Sequence, residues 1–297
     1  MNILITGGTG LVGSALINTI QQKYKNAHIY ITTRSEKQSS NGITYINWKQ
    51  DDWYQAIPQL DLVVNLAGAS LNNRWTKEHK EAIIKSRIES TEKLMPLFES
   101  LNKKPFFISA SAVGYYPASK SLTYDERNTF LPFDFLSKTV YLWEQAAQKI
   151  ESLGVETAIC RFGVVFSNQG GALPLMIKPY QYFAGGNIGD GQQPYSWIHI
   201  DDLAESILYI YDKQLTGIFN MTAPQPVTQQ QLGTTIARVI HRPHWTKVPN
   251  KVMDIVLGEQ SVMVTKGQSV LPDHLLQGGY TFKYPTVQLA LEQLYGE

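Results

Sequence analysis

Ile3-Leu4-Ile5-Thr6-Gly7-Gly8-Thr9-Gly10-Leu11-Val12-Gly13 decides the fold. A short apolar run meets a cluster of glycines, and from Leu11 to Tyr24 the apolar residues recur at helical spacing. That reads as strand, tight turn, helix. Gly8, Gly10 and Gly13 satisfy G-x-G-x-x-G inside that context, where the pattern is specific. Glycines let backbone N–H groups approach a pyrophosphate, and the helix N-terminus adds partial positive charge. Gly7, Thr9, Gly10, Leu11, Val12 and Gly13 are therefore the candidates for holding a dinucleotide.

Working outward, apolar runs at 29–32, 43–46, 60–66, 106–109 and 155–160 read as further strands. Helical patterns at 77–101 and 134–152 separate the later ones. Continuous apolar strands alternating with helices predict a sheet buried on both faces. The expected class is α/β: a doubly wound parallel (Rossmann) sheet with a smaller C-terminal α+β substrate lobe. After Arg161, Gly and Pro become dense (Gly170, Gly171, Pro174, Pro179, Gly185, Gly186). Residues 1–165 are assigned to the nucleotide-binding part, with 196–222 returning to it. Residues 166–195 and 223–297 form the substrate-side lobe, including a C-terminal domain from about 242. Helices are expected at 201–212, at 228–240 with Thr228 as N-cap, near 271–276 and at 285–294, and a strand at 217–221.

Among 297 residues, 43% are hydrophobic and 17% charged, an ordinary globular balance. The net charge of +1 gives no electrostatic case for nucleic acid. Cys160 is the single cysteine and sits among apolar neighbours, so no internal disulfide can form and a buried thiol is expected. No apolar run reaches the roughly 18 residues a membrane span needs, and the N-terminus does not read as a signal peptide. A cytoplasmic monomer or homodimer acting on a small molecule is the expectation.

The end of the second strand distinguishes the two nicotinamide dinucleotides. An acid there would bind the ribose 2′-hydroxyl of NAD. This chain instead has Thr33-Arg34-Ser35, with no acid before Glu36. Arg34 suits a 2′-phosphate, with Thr33 or Ser35 adding a hydroxyl, so NADP(H) is the expected cofactor. Asp51, after the third strand, is placed to reach the adenine.

Thr6-Gly7-x-x-Gly10-x-x-Gly13, Asn65-Leu66-Ala67-Gly68, Ser109-Ala110-Ser111-Ala112-Val113 and Trp197-Ile198-His199-Ile200-Asp201-Asp202-Leu203 together resemble the extended short-chain dehydrogenase/reductases, the NAD(P)-dependent epimerase/dehydratase family. Asn65 to Ser70, Arg74-Trp75-Thr76, Lys80, Ser86-Arg87, Arg161 to Val165, Gly170 to Leu173 and the tail from Leu271 through Gly279, Phe282 and Pro285 resemble its "epimerase family protein" subgroup, which has a C-terminal domain of unknown function. The resemblance implies the fold and a nicotinamide cofactor. It places Leu66, Ala67, Gly68 and Arg161 on the cofactor side.

The family's proton chemistry uses Ser or Thr and then Tyr-x-x-x-Lys on one helix face. Ser111 fits the serine role. The helix from Asp134 departs from the pattern: aligned through Glu144-Gln145, the tyrosine slot falls on Leu136 and the lysine slot on Val140. Tyr115 is the preferred substitute donor, with Tyr116 beside it; Lys80, Arg74 or Lys138 are candidate cations. Arg74 and Trp75 can clamp an anionic or planar substrate, with Arg87 and Lys80 nearby. Pro194 and Tyr195 stand where nucleotide-sugar relatives often place an arginine. His199 is expected to satisfy core backbone, and Asp201 and Asp202 to start a helix. No metal-ligand spacing and no G-x-S-x-G element occur. Three readings stay open: an NADP(H)-dependent oxidoreductase on a small carbonyl compound, an NADPH-binding sensor without turnover, and a nucleotide-sugar-type epimerase or dehydratase.

Overall fold

Seven strands, all parallel, build one sheet: β1 (Asn2–Thr6), β2 (His28–Thr33), β3 (Ile43–Asn47), β4 (Leu62–Asn65), β5 (Phe106–Ala112), β6 (Thr157–Phe162) and β7 (Gly217–Met221). Their spatial order is β7-β6-β5-β4-β1-β2-β3, so the chain reverses direction across the sheet between β1 and β4. The structure is a computed structural model that describes residues 1–40, 42–50 and 52–296.

Alternation along β1 shows why both faces are covered. Ile3 and Ile5 join one core with Leu16, Ile17 and Ile20 of α1 (Leu11–Lys23). Leu4 points into the opposite core. The helices on this second side are α2 (Lys77–Glu92), α3 (Met95–Ser100) and α4 (Phe135–Glu151). Phe98 of α3 meets Phe107 of β5 edge-on at 5.3 Å, and Ala147 and Ile150 of α4 belong to the same core. The helix expected over 77–101 is thus two. Pro96 lacks the N–H needed to continue the ladder, and the chain turns at Lys93-Leu94 before α3 starts.

The remaining helices are α5 (Leu173–Gln181), α6 (Ile200–Asp212), α7 (Gln229–Val239), α8 (Asn250–Leu257), α9 (Val262–Thr265), α10 (Asp273–Gln277) and α11 (Val287–Tyr295). α6 packs beside α1 on the sheet, through Leu203, Ile207 and Ile210. Its N-cap is His199, whose Nδ1 accepts the N–H of Asp201 at 3.1 Å. Burial holds the His199 imidazole below its usual pKa, which suits an acceptor nitrogen. A separate core joins α5, α7 and α11 around Phe166, Trp197, Leu232 and Leu291. Asp202 ties the tail to this body: its carboxylate accepts the N–H groups of Lys283 (2.7 Å) and Tyr284 (2.8 Å) and the Tyr280 hydroxyl (3.2 Å). No helix of the described residues is long and apolar enough to cross a membrane.

The first turn has no room to spare. Gly7 has φ of +67°, and a Cβ there would lie 2.7 Å from the Leu66 carbonyl oxygen. A Cβ on Gly13 would lie 2.5 Å from both the Gly7 oxygen and the Gly8 Cα, which are rigid backbone. Gly13→Ala is therefore expected to destabilise the fold by about 1–3 kcal/mol. Urea denaturation reads this as a lower midpoint; an unchanged midpoint would show that the turn can spread.

Candidate nucleotide site and the buried network beside it

The turn and α1 make a cradle at the carboxyl edge of the sheet. Gly10 donates its N–H to the Gly7 carbonyl (3.0 Å) and serves as N-cap of α1 without a side-chain cap. The first turn of α1 has no acid, so its positive end faces outward unneutralised. Thr9 and Gly10 are exposed, and Leu11 and Val12 half-buried. Across the turn, the start of the 66–68 loop is held by Thr6, whose hydroxyl accepts the N–H groups of Leu66 and Ala67, each at 3.2 Å. Thr6 in turn donates to Asn65 Oδ1 (2.6 Å), and Asn65 Nδ2 donates to Thr91 of α2 (2.8 Å). Asn65 thus locks β4, β1 and α2 together below the cradle. Gly10, exposed at the N-cap with only the Gly7 oxygen near the place a Cβ would take, and the bare helix end together fit a pyrophosphate.

At the far end of the cradle Arg34 and Ser35 are exposed, and Arg34 makes no ion pair among the described residues. Thr33 is buried and donates to the Ser35 carbonyl (2.6 Å), which shapes this corner. Asp51 lies outside the described residues.

Ser111 and Arg161 sit deeper than the sequence suggests. The Ser111 side chain is 2% exposed and donates its hydroxyl hydrogen to Glu144 Oε1 at 2.6 Å. Arg161, also 2% exposed, grips the same carboxylate with a fork: Nε to Oε1 and Nη2 to Oε2, both 2.7 Å. Its Nη1 donates to the Tyr116 hydroxyl (2.9 Å), which donates to Asn220 Oδ1 of β7 (2.9 Å). Three of the five Arg161 N–H donors are thus engaged inside the protein, by Glu144 and Tyr116. Burial alone pulls its pKa down, but the Glu144 carboxylate outweighs that and leaves the guanidinium held charged. Burial pushes the Tyr116 phenol up to about 12.

Tyr115 lies flat on this arginine, with the guanidinium 3.4 Å from its ring centroid. Its hydroxyl accepts the N–H of Phe130 at 2.9 Å. The slots at Leu136 and Val140 are apolar and pack against Gly114, in the turn that precedes Tyr115. Lys138 is exposed on another face of α4.

The substrate-side candidates divide. Trp75 is buried: its Nε1 donates to the Leu71 carbonyl (3.1 Å) and its ring meets Phe135 at 5.1 Å. It staples its own loop to α4, which corrects the expectation of an aromatic clamp. Arg87 reaches back under the 66–69 loop, donating to the carbonyls of Ala69 (3.2 Å) and Ile83 (3.0 Å). Burial draws its pKa down to about 10. Arg74 is exposed, and Lys80 pairs with Glu259 of the C-terminal domain at 2.7 Å. Sequence reasoning used Glu144 only as an alignment anchor and passed over Asn220. The signal available was a carboxylate one turn beyond the lysine slot, on the same helix face.

Glu144→Ala removes one partner of a buried pair and leaves Arg161 uncompensated. It is expected to cost about 3–5 kcal/mol of stability. A thermal or urea melt within about 1 kcal/mol of the parent would contradict the assignment of this pair as the core of the site.

Residues 3–222 match the family model of the NAD dependent epimerase/dehydratase family, and residues 248–294 match that of a domain of unknown function. An epimerase family protein of Staphylococcus aureus is 49% identical over 98% of both chains. One of Staphylococcus saprophyticus is equally similar, 49% identical over 98% of both. Among solved structures, the human epimerase family protein SDR39U1, crystallised with NADPH, superposes with a TM-score of 0.89 at 30% identity over 99% of both chains. A nucleoside-diphosphate sugar epimerase of Corynebacterium glutamicum, of whose length this chain spans 58%, gives 0.78 at 30% identity. UDP-glucuronic acid 4-epimerase of Bacillus cereus, 17% identical with a TM-score of 0.80, shares the fold. With its Rossmann cradle and a family model matched over residues 3–222, the chain belongs to the NAD-dependent epimerase/dehydratase family.

Proposed function

We propose that this chain binds NADP(H) and acts as an oxidoreductase on a small carbonyl compound. The observation that carries the cofactor choice is Arg34, exposed at the end of β2 with no ion-pair partner among the described residues and no acid beside it in the chain before Glu36. A 2′-phosphate satisfies that guanidinium, whereas a 2′-hydroxyl leaves it without an anion. The NADPH held by the human relative at 30% identity supports the same choice.

When bound, the nicotinamide supplies or takes up hydride. The chain's part is to hold the cofactor on the glycine turn and to move a proton. We assign the proton to Tyr115. Its hydroxyl oxygen accepts the Phe130 N–H, so its own hydrogen is free to point at a substrate oxygen. Arg161 sets a fixed positive charge against its ring. Ser111 faces Glu144 instead, and acts as a brace for that carboxylate. The same facts support a second reading, an NADPH-binding protein without turnover: the tyrosine and lysine slots are apolar and the serine is turned into the core. The buried Tyr195, which donates to the Val264 carbonyl at 3.1 Å, is spent on the C-terminal domain, which argues against a diphosphate-sugar subsite there.

Arg34→Asp is expected to weaken NADPH about 10- to 100-fold, the range of a charge-assisted contact, and NADH by less than about threefold. Equal losses for both would remove the 2′-phosphate assignment. Loss of reduced-nicotinamide absorbance across a carbonyl panel tests turnover. Tyr115→Phe should then lower kcat by about 100-fold or more with NADPH affinity intact. Tight NADPH binding with no turnover of any compound selects the second reading.

A further inference from the structure

The C-terminal domain reaches back over the sheet's carboxyl edge. The chain leaves a strand pair, Thr246–Val248 against Gly186–Ile188, and forms α8. It then turns at Gly258 (φ +60°) and passes through Glu259, Gln260 and Ser261 into α9. At its far end it is well rooted: Ser196 donates to the Gln268 carbonyl (2.9 Å) and accepts the N–H of Val270 (2.8 Å), and Val270 is fully buried. Gln268 donates to the Val113 carbonyl (2.8 Å), in the turn that carries Tyr115.

The middle is held quite differently. α8 has no buried residue, and Val252, Ile255 and Val256 are exposed, Ile255 at 80%. The tip touches the nucleotide-binding part through a small set of polar contacts. Lys80 pairs with Glu259, whose side chain is 63% exposed. Gln260 Nε2 donates to the carbonyls of Leu71 (2.5 Å) and Asn73 (2.7 Å). Those carbonyls belong to the loop that continues from Leu66-Ala67-Gly68, which abuts the glycine turn. Exposed ion pairs contribute little to stability, and segments with few buried apolar contacts open at low cost.

We propose that residues 249–260 are a lid over the carboxyl ends of β4 and β5, rooted at the 246–248 strand and at Val264, whose carbonyl accepts from Gln193 and Tyr195, and latched at its tip by Lys80–Glu259 and by Gln260. Substrate exchange proceeds when the latch breaks; closure covers the nicotinamide end and excludes water. This gives the C-terminal domain a role in the site. The covering of the cofactor rests on the NADP(H) reading; the latch does not.

Two readouts on the full chain separate these. Amide hydrogen exchange of residues 249–260 should quicken severalfold in Gln260→Ala and in Lys80→Glu, and return to the parent rate in the charge-swapped double variant Lys80→Glu/Glu259→Lys. Acrylamide quenching of bound NADPH fluorescence should rise in the two single variants and fall back in the swap. Exchange at the parent rate in both single variants overturns the latch. Faster exchange with unchanged quenching overturns the lid, since the segment would then move without covering the nicotinamide. If NADPH does not bind at all, the cofactor reading has failed, and the exchange data alone decide the latch.

Discussion

Close approach of backbone at one point organises this molecule. Gly7 lies under the Leu66 carbonyl and Gly13 lies against Gly7 and Gly8, so β1, the start of α1 and the loop after β4 converge within contact distance. Any side chain there would push them apart. The convergence brings the positive end of α1 and the mouth of the sheet to one place, and Asn65 and Thr6 hold it from below. The site's other parts are measured from this point: Arg34 at one end, the 113–116 turn at the other.

Beneath that second end lies a polar network that most folds would avoid burying. Glu144, Arg161, Tyr116, Ser111 and Asn220 form a continuous chain of hydrogen bonds joining α4, β5, β6, the turn after β5 and β7. Buried charge is tolerated because each partner is satisfied, with both carboxylate oxygens and three guanidinium nitrogens engaged. Its consequence is that Tyr115 rests on a cation it does not own, while the helix face that would carry tyrosine and lysine is apolar. In the oxidoreductase we propose, the proton donor therefore sits on the turn and not on the helix.

Much of this was legible in the sequence, for a reason that differs by element. The strands were visible because a doubly covered parallel sheet demands unbroken apolar runs, as in Ile3-Leu4-Ile5 and Phe106-Phe107-Ile108. The cradle was visible because only glycine fits it. The break before α3 was missed although Pro96 announces it. The side-chain directions were not legible. A serine after a strand looks the same whether its hydroxyl faces a ligand or a buried carboxylate, and only Glu144, 33 residues away, decides it. Trp75 and Arg87 likewise advertise a ligand in one dimension and prove to be fasteners in three. The contact of Lys80 with Glu259 spans 179 residues and has no local signal at all.

The central claim is that the cradle and Arg34 together select NADP(H). Calorimetric titration of the unmodified chain with NADPH and NADH tests it most directly. The account predicts saturable binding of NADPH, at least about tenfold tighter than NADH, in line with one charge-assisted contact to the 2′-phosphate. Equal affinity for the two would contradict the role given to Arg34, and binding of neither would contradict the reading of the glycine turn itself.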